Sequence, residues 1–551
     1  MIRERNFSAT AFSLVALLVL AGCSSVDEWS VFEPDMERTL EEEIEREKPV
    51  EVSSWSAPED LPEMTIRNGR EVYEVSVEEA VLMALRNNPE LRIQTLNPVI
   101  ADAFVLIERG VYDPELYARF ERREESLIET SRSTEDEFSV DGSERSAAVG
   151  IRQDLPTGTN LDLSAEQRQS ESNRTPEQQE TRIGLTVTQS LLRGFGPVVN
   201  LASIRLAEWR SLISEYELRG YGESLLAEVE IAYWRWVLAR REIAIFEQSI
   251  AVAEQQREEI EQQIELGALP ENDAAAVRAE VALRNQDLIE AQSAYEESRL
   301  RLARLILPDQ FDLGNGEVIP TSDPQFTEPP PLEDIPERIE LALSQRPDLK
   351  EAELRLDQAR LETIVTRNGL LPRLDFFLSL GKTGYASSFR ESFQNLDGDT
   401  YDWTIGGELS YPLGNRAAEG DRLAARASRD QALQSIHNLR RVIRTDVLLA
   451  ANELERTRRQ IGATAATVAL QKLSVQAEKD RLEFGSGTSL QVAQVQRDLL
   501  EAEIERIRAI VEYRIAQVEL YLAEGSLLER RGIVLSPTFG PRHRPSARPP
   551  G

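Results

Sequence analysis

The chain has 551 residues, with 96 Asp and Glu against 63 Lys and Arg, a formal net charge of −33, two histidines and one cysteine. That length suits about two ordinary domains, while the charge excludes a nucleic-acid-binding surface. The histidine and cysteine counts exclude a disulfide framework and a His-based metal or triad centre.

At the N-terminus, Arg3 and Arg5 precede an apolar run from Ala9 to Ala21. The run is too short to span a bilayer and predicts a signal peptide over residues 1–22. It ends in Leu20-Ala21-Gly22-Cys23, which resembles the bacterial lipobox, where small residues admit the peptidase and the Cys receives lipid. Cys23 would then be the new N-terminus, and Ser24 resembles the pattern of lipoproteins released to the outer membrane. Several acyl chains at roughly 0.8 kcal/mol per buried CH₂ make such an anchor permanent. Residues 23–70 read as a lipidated acidic arm with Glu41-Glu42-Glu43 and four prolines, too polar to form a core. No later apolar run approaches the ~18 to 20 residues of a membrane helix, so any crossing must be a β-barrel.

A repeat follows. The stretch Ala84-Leu85-Arg86-Asn87-Asn88-Pro89-Glu90-Leu91 matches Ala342-Leu343-Ser344-Gln345-Arg346-Pro347-Asp348-Leu349, and the register continues to Pro114 with Pro372 and Leu116 with Leu374. Each copy predicts a short helix, a break, a second helix, and a Pro that releases the chain into strands. Strands are expected over 115–192 and 374–413. Ile183, Leu185, Val187 and Leu191 alternate with Arg182, Gly184, Thr186 and Thr188, and Trp403, Ile405, Leu409, Tyr411 and Leu413 alternate with Thr404, Glu408 and Ser410. The pattern fits a membrane barrel and a half-buried soluble sheet equally. The first copy carries an additional pair, 147–155 and 159–167, joined by Pro156-Thr157-Gly158.

Long helical hairpins are expected over 198–306 and 417–523. A proline-free stretch of that length makes a helix on the order of 100 Å. Val447, Leu454, Ile461, Val468, Val475 and Leu482 recur every seven residues, as do Val229, Trp236, Ile243, Ile250 and Ile264 with Arg257 interrupting; this is a coiled-coil period. Ala502, Ala509, Ala516 and Ala523 give the return helix a line of close approach. The tips are Gly267-Ala268-Leu269-Pro270-Glu271-Asn272-Asp273 and Phe484-Gly485-Ser486-Gly487-Thr488-Ser489, with Gly for the left-handed cap and a polar cap on the next helix. Gly220 and Gly222 predict a bend. Residues 531–551 read as a Pro/Arg tail.

Four stretches together resemble the TolC-like outer-membrane efflux proteins: Val77-Glu78-Glu79-Ala80 through Leu91, Gln189-Ser190-Leu191-Leu192-Arg193-Gly194, Phe484 to Gln494, and Ala523-Glu524-Gly525-Ser526-Leu527-Leu528. The resemblance covers about 75–528 and implies a mainly α fold with membrane β, two tandem repeats over 71–331 and 332–530. It implies a homotrimer whose strands share one outer-membrane barrel and whose helices form a periplasmic tunnel. That is the exit duct of a tripartite efflux or type I secretion system, needing no cofactor. A periplasmic adaptor protein would meet the tips at Gly267, Ala268 and Leu269 and at Gly485, Ser486, Gly487 and Thr488, and an inner-membrane pump would supply energy.

In relatives an acidic ring lines the closed aperture; here its positions fall on Gln491 and Gln494, and only Asp273 is kept. The Arg and Tyr of the relatives' lock fall on Gly487 and Leu482. The family barrel implies twelve strands, which places the additional pair outside the main wall. The other reading is a lipid-anchored periplasmic coiled-coil scaffold without a pore. An enzyme would need a convergent polar cluster; Gly381-Lys382-Thr383 lacks the earlier Gly of a P-loop, at Phe376, and carboxylates such as Glu258, Glu259 and Glu261 read as a solvated helix face.

Overall fold

The computed structural model describes residues 65–67, 70–130, 137–267, 271–307, 317–323 and 331–533. The signal segment, Cys23, the arm through residue 64 and the tail beyond 533 lie outside the described residues. Two units divide the chain, 1–53 and 54–551, and everything described belongs to the second.

Strands β1 (Thr65–Arg67) and β2 (Arg70–Val75) lead into helices α1 (Val77–Asn87) and α2 (Pro89–Gly110). Ser76 starts α1 with a capping box: its hydroxyl accepts from Glu79 N at 3.2 Å, and its N–H donates to Glu79 Oε2 at 2.7 Å. Asn88 caps α2, accepting from Leu91 N at 3.0 Å, with Pro89 at the first turn where its missing N–H costs nothing. Then come β3 (Glu115–Thr130), β4 (Glu137–Leu155), β5 (Thr159–Ser172), β6 (Gln178–Ser190), α3 (Pro197–Asn200), α4 (Ala202–Glu265) and α5 (Asn272–Ile306). The second half has β7 (Glu317–Pro320), α6 (Ile335–Gln345), α7 (Pro347–Gly369), β8 (Arg373–Ala386), α8 (Phe389–Gln394), β9 (Tyr401–Ser410), α9 (Arg416–Glu483), α10 (Ser489–Glu524) and α11 (Leu527–Arg530).

The repeat in sequence is a repeat in structure. Helices start at 77 and 335 and again at 89 and 347, and strands at 115 and 373, a constant offset of 258 residues. Helices α4 and α9, of 64 and 68 residues, are each on the order of 100 Å long. No break interrupts α4 at Gly220 or Gly222. Gly220 lies against α7, where a Cβ would stand 3.7 Å from Pro347 Cβ; packing of this kind outweighs local propensity.

One core cluster joins α1, α4, α5, α10 and α11 through Leu226, Tyr233, Trp236, Ile306 and Leu527. A second joins α6, α7, α9 and α10 through Leu349, Ile443, Val447, Leu454 and Leu520. The heptad positions Val229, Trp236, Val447, Leu454, Ile461 and Val468 are buried, as are Ala502, Ala509 and Ala516. A small sheet in the order β1-β2-β7, unforeseen from sequence, pairs β2 with β7 in parallel. Tyr233 secures it, donating to Val75 O at 3.0 Å and accepting from Ser322 N at 2.9 Å.

Two expectations change. The pair 147–155 and 159–167 is not outside the main sheet but inside it, in the order β3-β4-β5-β6-β8-β9, antiparallel throughout. Both strands have ladder partners on each side, which satisfies their backbone groups. Residues 531–533, expected in the tail, are packed on the helices. Arg531 forms a two-bond ion pair with Glu230, at 2.7 and 2.6 Å, and Ile533 packs on the first core cluster.

Candidate channel wall and hairpin tips

The six-stranded sheet has two chemically opposite faces. Cross-strand pairing aligns Leu116, Ile151, Leu163, Leu185, Leu380 and Trp403 in one row. These side chains are exposed, from 38% for Leu185 to 74% for Leu116, and no second layer covers them among the described residues. The next row on the opposite face runs Tyr117, Gly150, Ser164, Gly184, Gly381 and Asp402. Around it lie polar bridges: Tyr117 Oη donates to Asp162 Oδ1 at 3.0 Å, Arg152 Nε to Asp162 Oδ2 at 3.3 Å, and Arg182 Nη2 to Asp402 Oδ2 at 2.8 Å. An apolar exposed face backed by a polar one is the chemistry of a barrel wall in lipid.

At the second tip, Gly485 adopts φ +72° and its N–H donates to Leu482 O at 3.0 Å, while Ser486 N donates to Arg481 O at 2.9 Å. This Schellman-type stop closes α9. Thr488 then opens α10 with a capping box: Gln491 N donates to Thr488 Oγ1 at 3.3 Å, and Thr488 N donates to Gln491 Oε1 at 3.1 Å. Gln491 is therefore folded back on the turn, while Gln494 is exposed one turn on. Gly485 answers to its positive φ, and a Cβ on Gly487 would sit 3.0 Å from Leu482 N.

At the first tip Gly267 takes φ +73° and donates to Ile264 O at 2.9 Å. Ala268 and Leu269 lie outside the described residues, and Asp273 stands in the first turn of α5. Beside these turns Leu266 and Phe484 are 85% and 84% exposed.

The sequence profile of the outer membrane efflux protein family matches residues 130–306 and 338–526. The chain belongs to this family. It is similar to the outer membrane protein OprJ of Pseudomonas aeruginosa, 27% identical over 462 residues covering 82% of this chain and 85% of the relative. It is also similar to the pyoverdine export outer membrane protein OpmQ of Pseudomonas putida, 25% identical over 331 residues, 59% of this chain and 67% of that one. Its fold matches the Campylobacter jejuni CmeC outer membrane channel with a TM-score of 0.60 at 16% identity, over 92% of this chain and 95% of CmeC. Membership of the outer membrane efflux proteins is what the sequence led us to expect.

This efflux protein also holds a buried polar link between its hairpins that sequence reading missed. Arg284 Nε donates to Glu280 Oε1 at 3.1 Å and Arg284 Nη1 to Ser249 O at 2.7 Å, while Arg497 of α10 bonds the other oxygen of Glu280. Glu280 and Arg284 share the buried stripe of α5 with Val277 and Val281, and charge within an apolar stripe was the available signal. Burial pushes the Glu280 carboxyl up, but Arg497 and Arg284 outweigh it and hold the group below the usual glutamate range. With a depressed folded pKa, the link contributes fully above the ordinary glutamate pKa and is lost as pH falls through the folded value. Protection against hydrogen exchange over 277–284, relative to the intrinsic rate at each pH, is expected to fall as pH drops below the ordinary glutamate range. Glu280→Gln is expected to abolish that extra acid sensitivity; an identical response in the variant would refute the role.

Proposed function

We propose that three copies of this efflux protein close their sheets into one barrel and their hairpins into one tunnel, forming a passive duct that a periplasmic adaptor and an inner-membrane pump complete. The observation that carries this reading is the sheet itself. Its apolar face is uncovered, and its outer strands β3 and β9 each lack a neighbour on one side among the described residues. An open edge in lipid strands backbone groups without water, so the edges need partners from other copies.

The helices support the same arrangement. Within the chain α7 packs between α4 and α9, whereas its repeat counterpart α2 packs on α4. The outer stripe of α2, with Ile93, Ile100, Phe104 and Ile107, is exposed. A second copy's α9 would cover it as α9 covers α7. Native mass spectrometry of the detergent-solubilised protein tests this: three copies are expected, and a lone copy would leave the poreless scaffold standing.

Two further expectations complete the reading. Cys23→Ser is expected to abolish fatty-acid labelling and signal-peptide removal, because the lipobox offers no other thiol; equal labelling of both proteins would sink the anchor. The tips are proposed to dock the adaptor through the apolar side chains beside their turns. Phe484→Ser should change stability by no more than ~0.5 kcal/mol, as for an exposed site, yet reduce export and adaptor crosslinking at matched trimer levels. Full export by the variant would refute docking.

A further inference from the structure

Family barrels imply four strands per chain, and this sheet has six. We infer that the barrel of this protein contains eighteen strands, six from each of three copies, and that its lumen accepts a pair of packed helices or a solute of similar breadth. The inference rests on the trimeric reading above.

The two additional strands are built into the wall. Strand β4 pairs with β3 from Glu115↔Arg152 to Thr130↔Glu137, and β5 pairs with β6 from Thr159↔Gln189 to Ser170↔Gln178. Between them the ladder runs from Gly142↔Ser172 to Leu155↔Thr159. In place, β4 and β5 have their backbone groups bonded on both sides, as a sheet in a membrane needs. Each face also continues across the pair: Ile151 and Leu163 fill the apolar row, while Gly150 and Ser164 fill the small-residue row. Asp162 on β5 collects Tyr117 from β3 and Arg152 from β4.

The turn between β4 and β5 is bound where β6 gives way to helix. Gly196 N donates to Thr157 O at 3.1 Å, Ser190 N to Gly158 O at 3.0 Å, and Asn200 Nδ2 to Pro156 O at 3.1 Å. Gly158 sits at φ +84°, and a Cβ there would collide with Gly194 O. The additional hairpin therefore ends level with the sheet-to-helix junction and spans the same depth as its neighbours.

Strand number sets the width. Strands ~4.8 Å apart and tilted ~40° give a backbone diameter of about 36 Å for eighteen strands and about 24 Å for twelve. A side-chain layer of ~5 Å all round leaves about 26 Å and about 14 Å. A helix with its side chains is about 10–12 Å across, so twelve strands admit one helix and eighteen admit two side by side. The polar face keeps that space open by laying large side chains along the wall. Tyr117 lies over Gly150, Arg182 over Gly184 and Gly381, and Phe377 over Gly406; a Cβ on Gly150 would stand 2.6 Å from Tyr117 Cζ.

The test uses the full chain reconstituted in lipid, with spin labels at single substituted cysteines and the unsubstituted protein as background. Labels at Ile151 and Leu163 are expected to be as accessible to oxygen as one at Leu185, and labels at Ala148 and Ser164 as accessible to a nickel chelate as one at Thr186. In a three-copy complex, chelate access at Ile151 and Leu163 equal to that at Thr186 would overturn the eighteen-strand wall. A one-copy mass would overturn the trimeric reading itself. Deleting 137–172 leaves β3 and β6 able to pair antiparallel. The size limit for polyethylene glycols entering from the extracellular side is then expected to fall from about 26 Å to about 14 Å. An unchanged limit in an assembled variant would also overturn the inference.

Discussion

Leu185→Arg is expected to keep the protein out of the outer membrane, whereas Thr186→Arg, one residue on, is expected to assemble. Leu185 lies mid-row on the apolar face between Leu163 and Leu380. An Arg on the lipid face near the bilayer midplane costs about 2–4 kcal/mol. Three copies bring roughly 6–12 kcal/mol if the sites act independently, as large as the whole stability of an ordinary fold. Thr186 points to the other face, directly across from Asp162 on β5, where an added guanidinium meets a carboxylate. Outer-membrane fractionation with a gel assay for the assembled trimer reads the difference. Equal assembly of the two variants would contradict a lipid-facing sheet.

Arg531→Met is expected to lower stability by about 3–5 kcal/mol, because it leaves a carboxylate buried without its partner. Glu230 is 0% exposed in the first core cluster's surroundings, and both its oxygens are held by Arg531. Two turns earlier on α4, Glu223 accepts from Leu527 N at 2.9 Å and Leu528 N at 3.3 Å, so two acids of α4 clamp the segment after α10. Burial pushes the Glu223 carboxyl up despite those bonds. Replacing both partners, Glu230→Met with Arg531→Met, is expected to recover most of the loss, since no charge is then left buried. Urea midpoints of the helical signal measure it at constant slope. A double variant as weak as Arg531→Met would show that shape rather than charge is at stake.

How much was legible follows from how local each signal is. The helices and both reversals could be read because Gly267, Gly485 and Thr488 act within a few residues of their own positions. Alternation over Ile183–Leu185–Val187 and Trp403–Ile405 identified the apolar face before any partner was known. The place of β4 and β5 could not be read, because it depends on ladders with β3 and β6, and the twelve strands implied by the resemblance put the pair outside the wall. The partners of the buried charges were equally hidden, even where charge in an apolar stripe marked Glu280: Glu280 meets Arg497 across 217 residues and Glu230 meets Arg531 across 301. In sequence Glu230 looks like Glu258 and Glu259, which are exposed. Gly525 marked the resemblance as a motif; it caps α10 at φ +66°, and the part hidden from sequence is the approach in space, since a Cβ there would lie 3.0 Å from Arg346 Cα.

The claim that this efflux protein is itself a pore is tested most directly by single-channel recording in a planar bilayer, using purified full-length protein whose native mass has been measured. Discrete conductance steps from a three-copy complex are predicted. A three-copy complex that inserts yet carries no current, or a single copy that carries none, would contradict the account.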